Sequence, residues 1–568
     1  MILLDGSPGL GRRAAATMLL EEAPATGGQI EELPATSDEG PFEVSADDRY
    51  LLDLSGISDT DYPAAEHALI RYRSVVEQGD ARLVVILPFG LNWMLREDLS
   101  PLVVTLERPR GRAVFSRHLR VQGLTFAPDD LDTSELHHLF SVAPMRELAR
   151  LAELVAEARD AKRYGSTFAT WRDAGVAAAT DWAEEVARLL QEHRGAQARA
   201  LLLSAAMVSD SPAEAALGGA QLLTEILRHE SEDTVGLARA GLGEQLRALG
   251  IERSNSGKIS FQRLAYDGAV RKHFWVNFPD LRPAFRDWVA KLITLPELSA
   301  EGRMNLIARF TEQSMSTGRP DDLCTLVEAW TQQGGRLQAE AAAALELGLS
   351  HERYGAHFRS RVYTWVTSRI PPALAHVLTD VCHQVIAVSH PEQAAVRLRH
   401  LALRQDGAER GAARTALLNL ARANHRVFRR LVNRIAVLPL MENTADLLLG
   451  LLEPALLGIY PPHEEFTLAW RALLVARPTT EWTPLLHRWL DHLAREPLDE
   501  RITSALIVAA AGDGIVLNRL YVAVCQWRAA PQPEATTGAL VPPEARHRTS
   551  AWLCREIDVL LGLDERIP

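Results

Sequence analysis

A strand-like run, Ile2-Leu3-Leu4-Asp5, leads into Gly6-Ser7-Pro8-Gly9-Leu10-Gly11-Arg12-Arg13 and then into a helix opening Ala14-Ala15-Ala16. Glycines in such a loop let backbone N–H groups converge on phosphate oxygens, and the start of a helix adds partial positive charge. The Gly6-x4-Gly11 interval is that of a phosphate-binding loop, whose next two residues are ordinarily Lys and Ser or Thr. Here both are Arg. Arg12 can meet a phosphate through its guanidinium fork, whereas Arg13 has no hydroxyl with which to ligate Mg2+. Such sites also take a carboxylate from the end of a second strand. Arg49-Tyr50-Leu51-Leu52-Asp53-Leu54-Ser55 offers Asp53, placed to hold Mg2+ through water. Ser55 and Gly56 stand where a catalytic Glu would be wanted, and Asp59 and Asp61 are the nearest further carboxylates. The candidate nucleotide-binding set is Gly6, Ser7, Gly9, Gly11, Arg12 and Arg13, with Asp53 for a metal, and no residue is given a catalytic role. The plain alternative is a strand-to-helix turn that binds nothing.

Other constellations carry less chemistry. Ten Arg fall between Arg397 and Arg434 against two carboxylates, Asp406 and Glu409. Arg422, Arg426, Arg429 and Arg430 are grouped at helical spacing, which suits an acidic partner or a phosphate backbone. Phe428 is nearly alone as a stacking aromatic, so a solvated ridge is the simplest reading and nucleic acid is not expected. In His351-Glu352-Arg353-Tyr354-Gly355-Ala356-His357 the histidines are six apart rather than four, which puts them on different helix faces and removes the zinc-protease reading. His137-His138 and Cys382-His383 have no partners at ligand spacing, and no Gly-x-Ser-x-Gly occurs. Trp275, Trp288, Trp330, Trp365, Trp482 and Trp489 sit among apolar neighbours and read as core anchors.

The elements that must position the loop are strands at Ile2–Asp5, Ile30–Leu33, Tyr50–Leu54, Leu83–Leu87 and Leu102–Leu106, with helices at Arg12–Glu22, Tyr62–Gln78 and Ala113–Gly123. Continuous apolar strands alternating with helices predict a parallel sheet covered on both faces, a three-layer α/β domain over residues 1–130. Residues 131–295 read as helical, with Ser211-Pro212-Ala213-Glu214 and, further on, Ser389-His390-Pro391-Glu392 as capping boxes. Ser254-Asn255-Ser256-Gly257 is a turn flanked by short β-like runs, Lys258–Gln262 and His273–Phe278, and helices followed by such a hairpin resemble a winged helix. Gly257-Lys258 belongs to that wing turn. Arg253, Lys258, Arg263, Arg271, Lys272 and His273 could dress a DNA-binding wing. Residues 296–530 hold about a dozen helical segments without a fixed period, predicting an irregular α-solenoid of the HEAT or TPR kind, and 531–568 a proline-rich linker and a terminal helix.

Composition sets the bounds. A chain of 568 residues allows about three to four domains. With 47% hydrophobic and 24% charged residues it is neither disordered nor low-complexity. A net charge of -12 argues against bulk binding to nucleic acid or anionic membrane. Four scattered cysteines suit a reducing cytosol, and Met1 leads straight into a strand with no apolar run long enough to span a bilayer. A cytoplasmic protein without membrane attachment is expected. Four Lys against 57 Arg, with much Ala, Leu and Gly, suggest a GC-rich bacterial genome.

The loop Gly6 to Arg13, the strands Tyr50–Asp53 and Arg82–Pro88, and Leu102–Glu107 leading into the helix Arg112–Gly123 resemble the STAND class of P-loop NTPases, NACHT-like proteins of high-GC, actinobacterial-type bacteria in particular. A helical and winged-helix-like stretch to about Thr294, followed by helical repeats, keeps the same order. The resemblance implies ATP or ADP, with Mg2+, held between the NTPase and winged-helix domains as a switch, while the repeats recognise a protein partner. Ring-like homo-oligomers are common in that class. Arg12, Arg13 and the missing acidic pair after Asp53 depart from its pattern, so the expected activity is at most that of a degenerate ATPase or GTPase. The other expectation is a non-enzymatic interaction scaffold with a fossil NTPase domain, and a third is a nucleic-acid-binding regulator.

Overall fold

A computed structural model describes residues 1–22, 30–33, 35, 44, 48–179, 182–227, 240–332, 334–404, 409–454, 462–495, 500–530 and 541–563. It divides into two compact units, Met1–Arg361 and Val362–Pro568. The first begins with β1 (Ile2–Asp5), α1 (Arg12–Glu22), β2 (Ile30–Leu33), β3 (Arg49–Asp53), α2 (Tyr62–Gln78), β4 (Arg82–Ile86), β5 (Val103–Thr105) and α3 (Gly111–Val121). The strands form one wholly parallel sheet in the order β2-β3-β4-β1-β5. Its register pairs Leu4 with Ile86 and with Val104, and Leu52 with Val85 and with Leu33.

Alternate side chains along these strands reach opposite faces. Leu3, Tyr50, Leu52, Leu83 and Val85 pack under Ala65, Ala68, Leu69 and Tyr72 of α2. Leu4, Leu51, Val84 and Ile86 pack under Ala16 and Leu20 of α1. Both faces are therefore covered, which is why the central strands β1, β3 and β4 read as apolar runs. The expected α/β architecture is present, with one difference: α3 lies on neither face. Phe115 and Leu119 join the core of the helices that follow, α4 (Ser134–Val142), α5 (Met145–Asp160) and α6 (Phe168–Ala179).

The chain continues through α7 (Ala183–Glu192), α8 (Ala196–Met207), α9 (Ala213–Ile226) and α10 (Leu242–Ala248) to an antiparallel hairpin, β6 (Ile251–Arg253) and β7 (Ile259–Phe261). The turn Ser254–Gly257 is where the sequence put it, and β7 falls inside Lys258–Gln262. The other arm does not lie at His273–Phe278. Those residues fall almost wholly in α11 (Tyr266–Asn277), where Tyr266, Val270, Phe274 and Trp275 are buried at helical spacing. Packing of that stripe overrides the β-propensity of the aromatics. Neither capping box forms. α9 starts at Ala213 after Pro212, because the Ser211 carbonyl accepts the Ile259 N–H at 2.9 Å and the Asp210 N–H donates to Ile259 at 2.9 Å, drawing the segment onto the hairpin. Ser389 ends one helical segment, and His390 precedes the helix Pro391–Ala402.

After α12 (Arg282–Leu292) come α13 (Ala300–Ser316), α14 (Pro320–Gln332), α15 (Gln338–Leu349) and α16 (Gly355–Thr367), the last crossing into the second unit. The described residues of that unit are helices and their connections, closing with Pro543–Leu560. All six tryptophans read as core anchors are buried. The linker expected between the last two helices lies mostly outside the described residues.

Candidate functional site

Because the sheet is parallel, the carboxyl ends of its strands share one edge, and the β1–α1 loop, Glu32, Asp53 and Leu87 meet there. The loop is anchored at both ends. The Asp5 carboxylate accepts the Gly6 N–H at 2.7 Å, and the Gly11 carbonyl accepts the Ala15 N–H at 2.9 Å, opening α1. Gly9 and Gly11 have φ of +90° and +84°, left-handed values that favour glycine. The Gly9 carbonyl accepts the N–H of Met145, the first residue of α5, at 2.9 Å. A Cβ on Gly9 would come within 3.0 Å of Pro144, whereas one on Gly11 would meet nothing within 4 Å.

The two arginines turn to the protein itself. Arg12 donates to the Leu87 carbonyl at 2.8 Å. Arg13 donates to Asp53 Oδ2 at 2.9 Å and, through its other nitrogen, to Glu32. Asp53 Oδ1 accepts the Ser55 N–H at 2.9 Å, so both oxygens of the expected metal ligand are engaged. Burial opposes the Arg13 charge, but the hydrogen bonds and charges of Glu32 and Asp53 outweigh it and hold the guanidinium above the ordinary arginine value. Arg359, 3.7 Å from Glu32, shifts the other way: burial and the charge of Arg13 outweigh Glu32.

A cavity of about 200 Å³ opens at this edge, lined by Gly9, Gly11, Arg12, Arg13, Asp53 and Arg146 of α5, with Glu352 on its rim. Gly6 is buried beneath the loop, and exposed Ser7 is not part of the lining. Asp59 and Asp61 stay in the exposed turn before α2, where Asp61 accepts the Ser58 hydroxyl at 2.6 Å. Glu32, Arg146 and Glu352 escaped the sequence reading. Two Glu inside the otherwise apolar Ile30–Leu33 strand were the one legible sign.

In the second unit, Arg422 lies in the last turn of the helix Glu409–Ala423, and Arg426, Arg429 and Arg430 lie on His425–Ile435. Arg430 pairs with Glu392, and Arg429 lies 3.8 Å from Glu465. Arg404 donates to the Val366 carbonyl at 3.1 Å, and Arg410 and Arg414 approach Asp446. Much of the local Arg excess is thus spent on holding helices together. Burial pushes the Cys324 and Cys382 thiols up to about 12, which leaves them protonated and without nucleophilic character at neutral pH.

A larger cavity, about 890 Å³, lies between α5, the corner from β7 to α11, and α13. Several of its charges pair within its own wall: Arg271 with Asp267 at 2.6 Å and Glu312 at 3.7 Å, and Arg309 with Asp210 at 3.6 Å. Burial opposes ionisation of Asp267, but Arg271 and Arg309 prevail and hold its carboxyl below the ordinary Asp value. A depressed carboxyl gives stability that is present above the unfolded value, about 3.9, and is lost as the pH falls through the folded value. Asp267→Asn is therefore expected to cost about 2 kcal/mol at pH 7, less than the roughly 3–5 kcal/mol of a fully orphaned buried charge because Arg271 and Arg309 keep their longer contacts with Glu312 and Asp210. The difference from the parent protein should shrink towards pH 3, as denaturation midpoints across that range will show.

Among the described residues no helix is long and apolar enough to cross a membrane. Compared with known proteins, the chain matches no family model, no curated protein and no solved structure.

Proposed function

We propose that the chain is a STAND-like regulatory scaffold of bacterial signalling or defence, in which the glycine loop holds the phosphate end of ATP or ADP without hydrolysis and the helical repeats recognise a protein partner. The observation that carries this reading is Arg13. Its guanidinium spans Glu32 and Asp53, so the positive charge that Mg2+ would bring is supplied by the chain. Mg2+ does not fit while Arg13 holds its place: each Asp53 oxygen already accepts a hydrogen bond, and the Arg13 guanidinium, 2.9 Å from Oδ2, stands where a second cation would be repelled. A phosphate group does fit. The first N–H groups of α1 have no intrahelical acceptor, Gly11 opens onto the cavity, and Arg12, Arg13 and Arg146 line it. In this reading the β6–β7 hairpin is the wing, and the helices of residues 296–530 are the solenoid.

One observation favours the alternative, an interaction scaffold with a fossil NTPase domain. A cavity of about 200 Å³ is below the roughly 300 Å³ at which ligand pockets begin. Melting the chain with millimolar ATP, ADP or GTP, each with Mg2+ or with EDTA, separates the two. A nucleotide at about a hundred times its dissociation constant stabilises by about 2.7 kcal/mol. We expect a shift with an adenine nucleotide that EDTA does not change and that Gly11→Asp abolishes. The space beside Gly11 accepts that side chain, and Asp tolerates the left-handed backbone, so the variant should fold while placing a negative charge in the cavity. No shift with any nucleotide selects the scaffold.

A further inference from the structure

Asp321 and Cys324 are three residues apart on α14, a spacing that sets carboxylate and thiol on one helix face. His357, near the start of α16, meets them there. A carboxylate oxygen of Asp321, Cys324 Sγ and a ring nitrogen of His357 all lie within 4.8 Å of one another, and His357 Nε2 is 3.1 Å from Asp321 Oδ1. From metal–ligand bonds of about 2.0–2.3 Å, tetrahedral zinc needs its donor atoms roughly 3.3–3.7 Å apart, so no pair has more than about 1.5 Å to close to reach a ligating arrangement.

We infer that Asp321, Cys324 and His357 form a zinc site, with three protein ligands and a fourth position open to water. The donor set selects the ion. A thiolate with an imidazole suits Zn2+ and disfavours Mg2+ and Ca2+, which take oxygen, while the carboxylate brings a second negative charge. On binding, Zn2+ takes the sulfur as thiolate and its proton leaves to solvent. The site is graded in depth: Cys324 is buried, the His357 side chain is 38% exposed and that of Asp321 72% exposed. The ion thus enters from the surface, and its open position faces solvent. The nearby cation Arg361 is matched by Glu328 at 2.9 Å, so the pair adds no net charge against the ion. His351 takes no part, because its Nδ1 accepts the N–H groups of Arg353 and Tyr354 at 3.2 and 3.3 Å. His357 finds its partners on another helix, and a bound ion would clamp α16 to α14. This inference does not depend on the glycine loop.

The test uses the full-length, tag-free chain, stripped with a chelator and titrated with Co2+. We expect one equivalent to bind with a thiolate-to-cobalt charge-transfer band in the near ultraviolet and intense visible bands of four-coordinate cobalt, both removed by Zn2+. His357→Gln and Asp321→Asn, at partly and largely exposed positions, should each weaken binding by more than about tenfold, at least the effect of losing an outer-shell partner. Cys324→Ser should abolish the charge-transfer band, and Cys525→Ser should leave it intact. The assignment is overturned if no charge-transfer band forms, if it survives both Cys324→Ser and His357→Gln, or if Cys525→Ser removes it.

Discussion

Replacing Arg13 with Thr is expected to destabilise the first unit by about 2 kcal/mol and to make its stability respond to Mg2+. The Asp53 and Glu32 side chains that Arg13 joins are only 9% and 16% exposed. Removing one partner from a buried ion pair costs about 3–5 kcal/mol, because the other charge stays behind. The Arg13 side chain is itself 35% exposed, and solvent screening lowers that figure. In Arg13→Thr the two carboxylates face each other at the carboxyl end of the sheet with a hydroxyl beside them, the composition of a Mg2+ site. Denaturant unfolding should therefore show Mg2+ restoring at least about 1 kcal/mol to the variant at millimolar concentration and leaving the parent protein unchanged. A variant as stable as the parent, and equally indifferent to Mg2+, would remove Arg13 from the explanation of the site.

Trp489→Ala is expected to be strongly destabilising to the second unit. Trp489 is fully buried, packs edge-on against Phe466 with ring centres 5.1 Å apart, and donates its indole N–H to the Leu452 carbonyl at 2.6 Å. Truncating a buried Trp costs about 3–5 kcal/mol, and the orphaned carbonyl adds to it. Trp489→Phe keeps the ring against Phe466 and loses only the hydrogen bond and part of the volume, so about 1–2 kcal/mol is expected. Urea unfolding followed by circular dichroism measures both. If alanine and phenylalanine cost the same, packing against Phe466 is not what holds Trp489.

Where local rules decide, the sequence was readable. α1 and α2 begin and end at the residues their periodicity and breakers indicated, Arg12–Glu22 and Tyr62–Gln78. The apolar runs of β1, β3 and β4 announced a sheet covered on two sides. What escaped was decided by partners distant in the chain. Ser211 does not cap a helix because Ile259, 48 residues on, takes its carbonyl. His273–Phe278 reads as a strand until the core under α11 is known. The candidate site shows the same limit. Gly11, Arg12 and Arg13 were visible as a loop, but the neutralising contact of Arg13 with Glu32 and Asp53 was not, since neither spacing nor composition says which carboxylate a side chain will find. Asp321, Cys324 and His357 sit 33 residues apart at their nearest approach across two helices, so no short motif could announce them.

A first-turn N–H has no acceptor within its own helix, so the amide of Met145 is shielded from water by the loop carbonyl of Gly9 rather than by α5. Its deuterium uptake is therefore a gauge of the loop read from another element. The amide exchanges slowly while Gly9 keeps its place and quickly once the loop swings away, whatever the rest of α5 is doing.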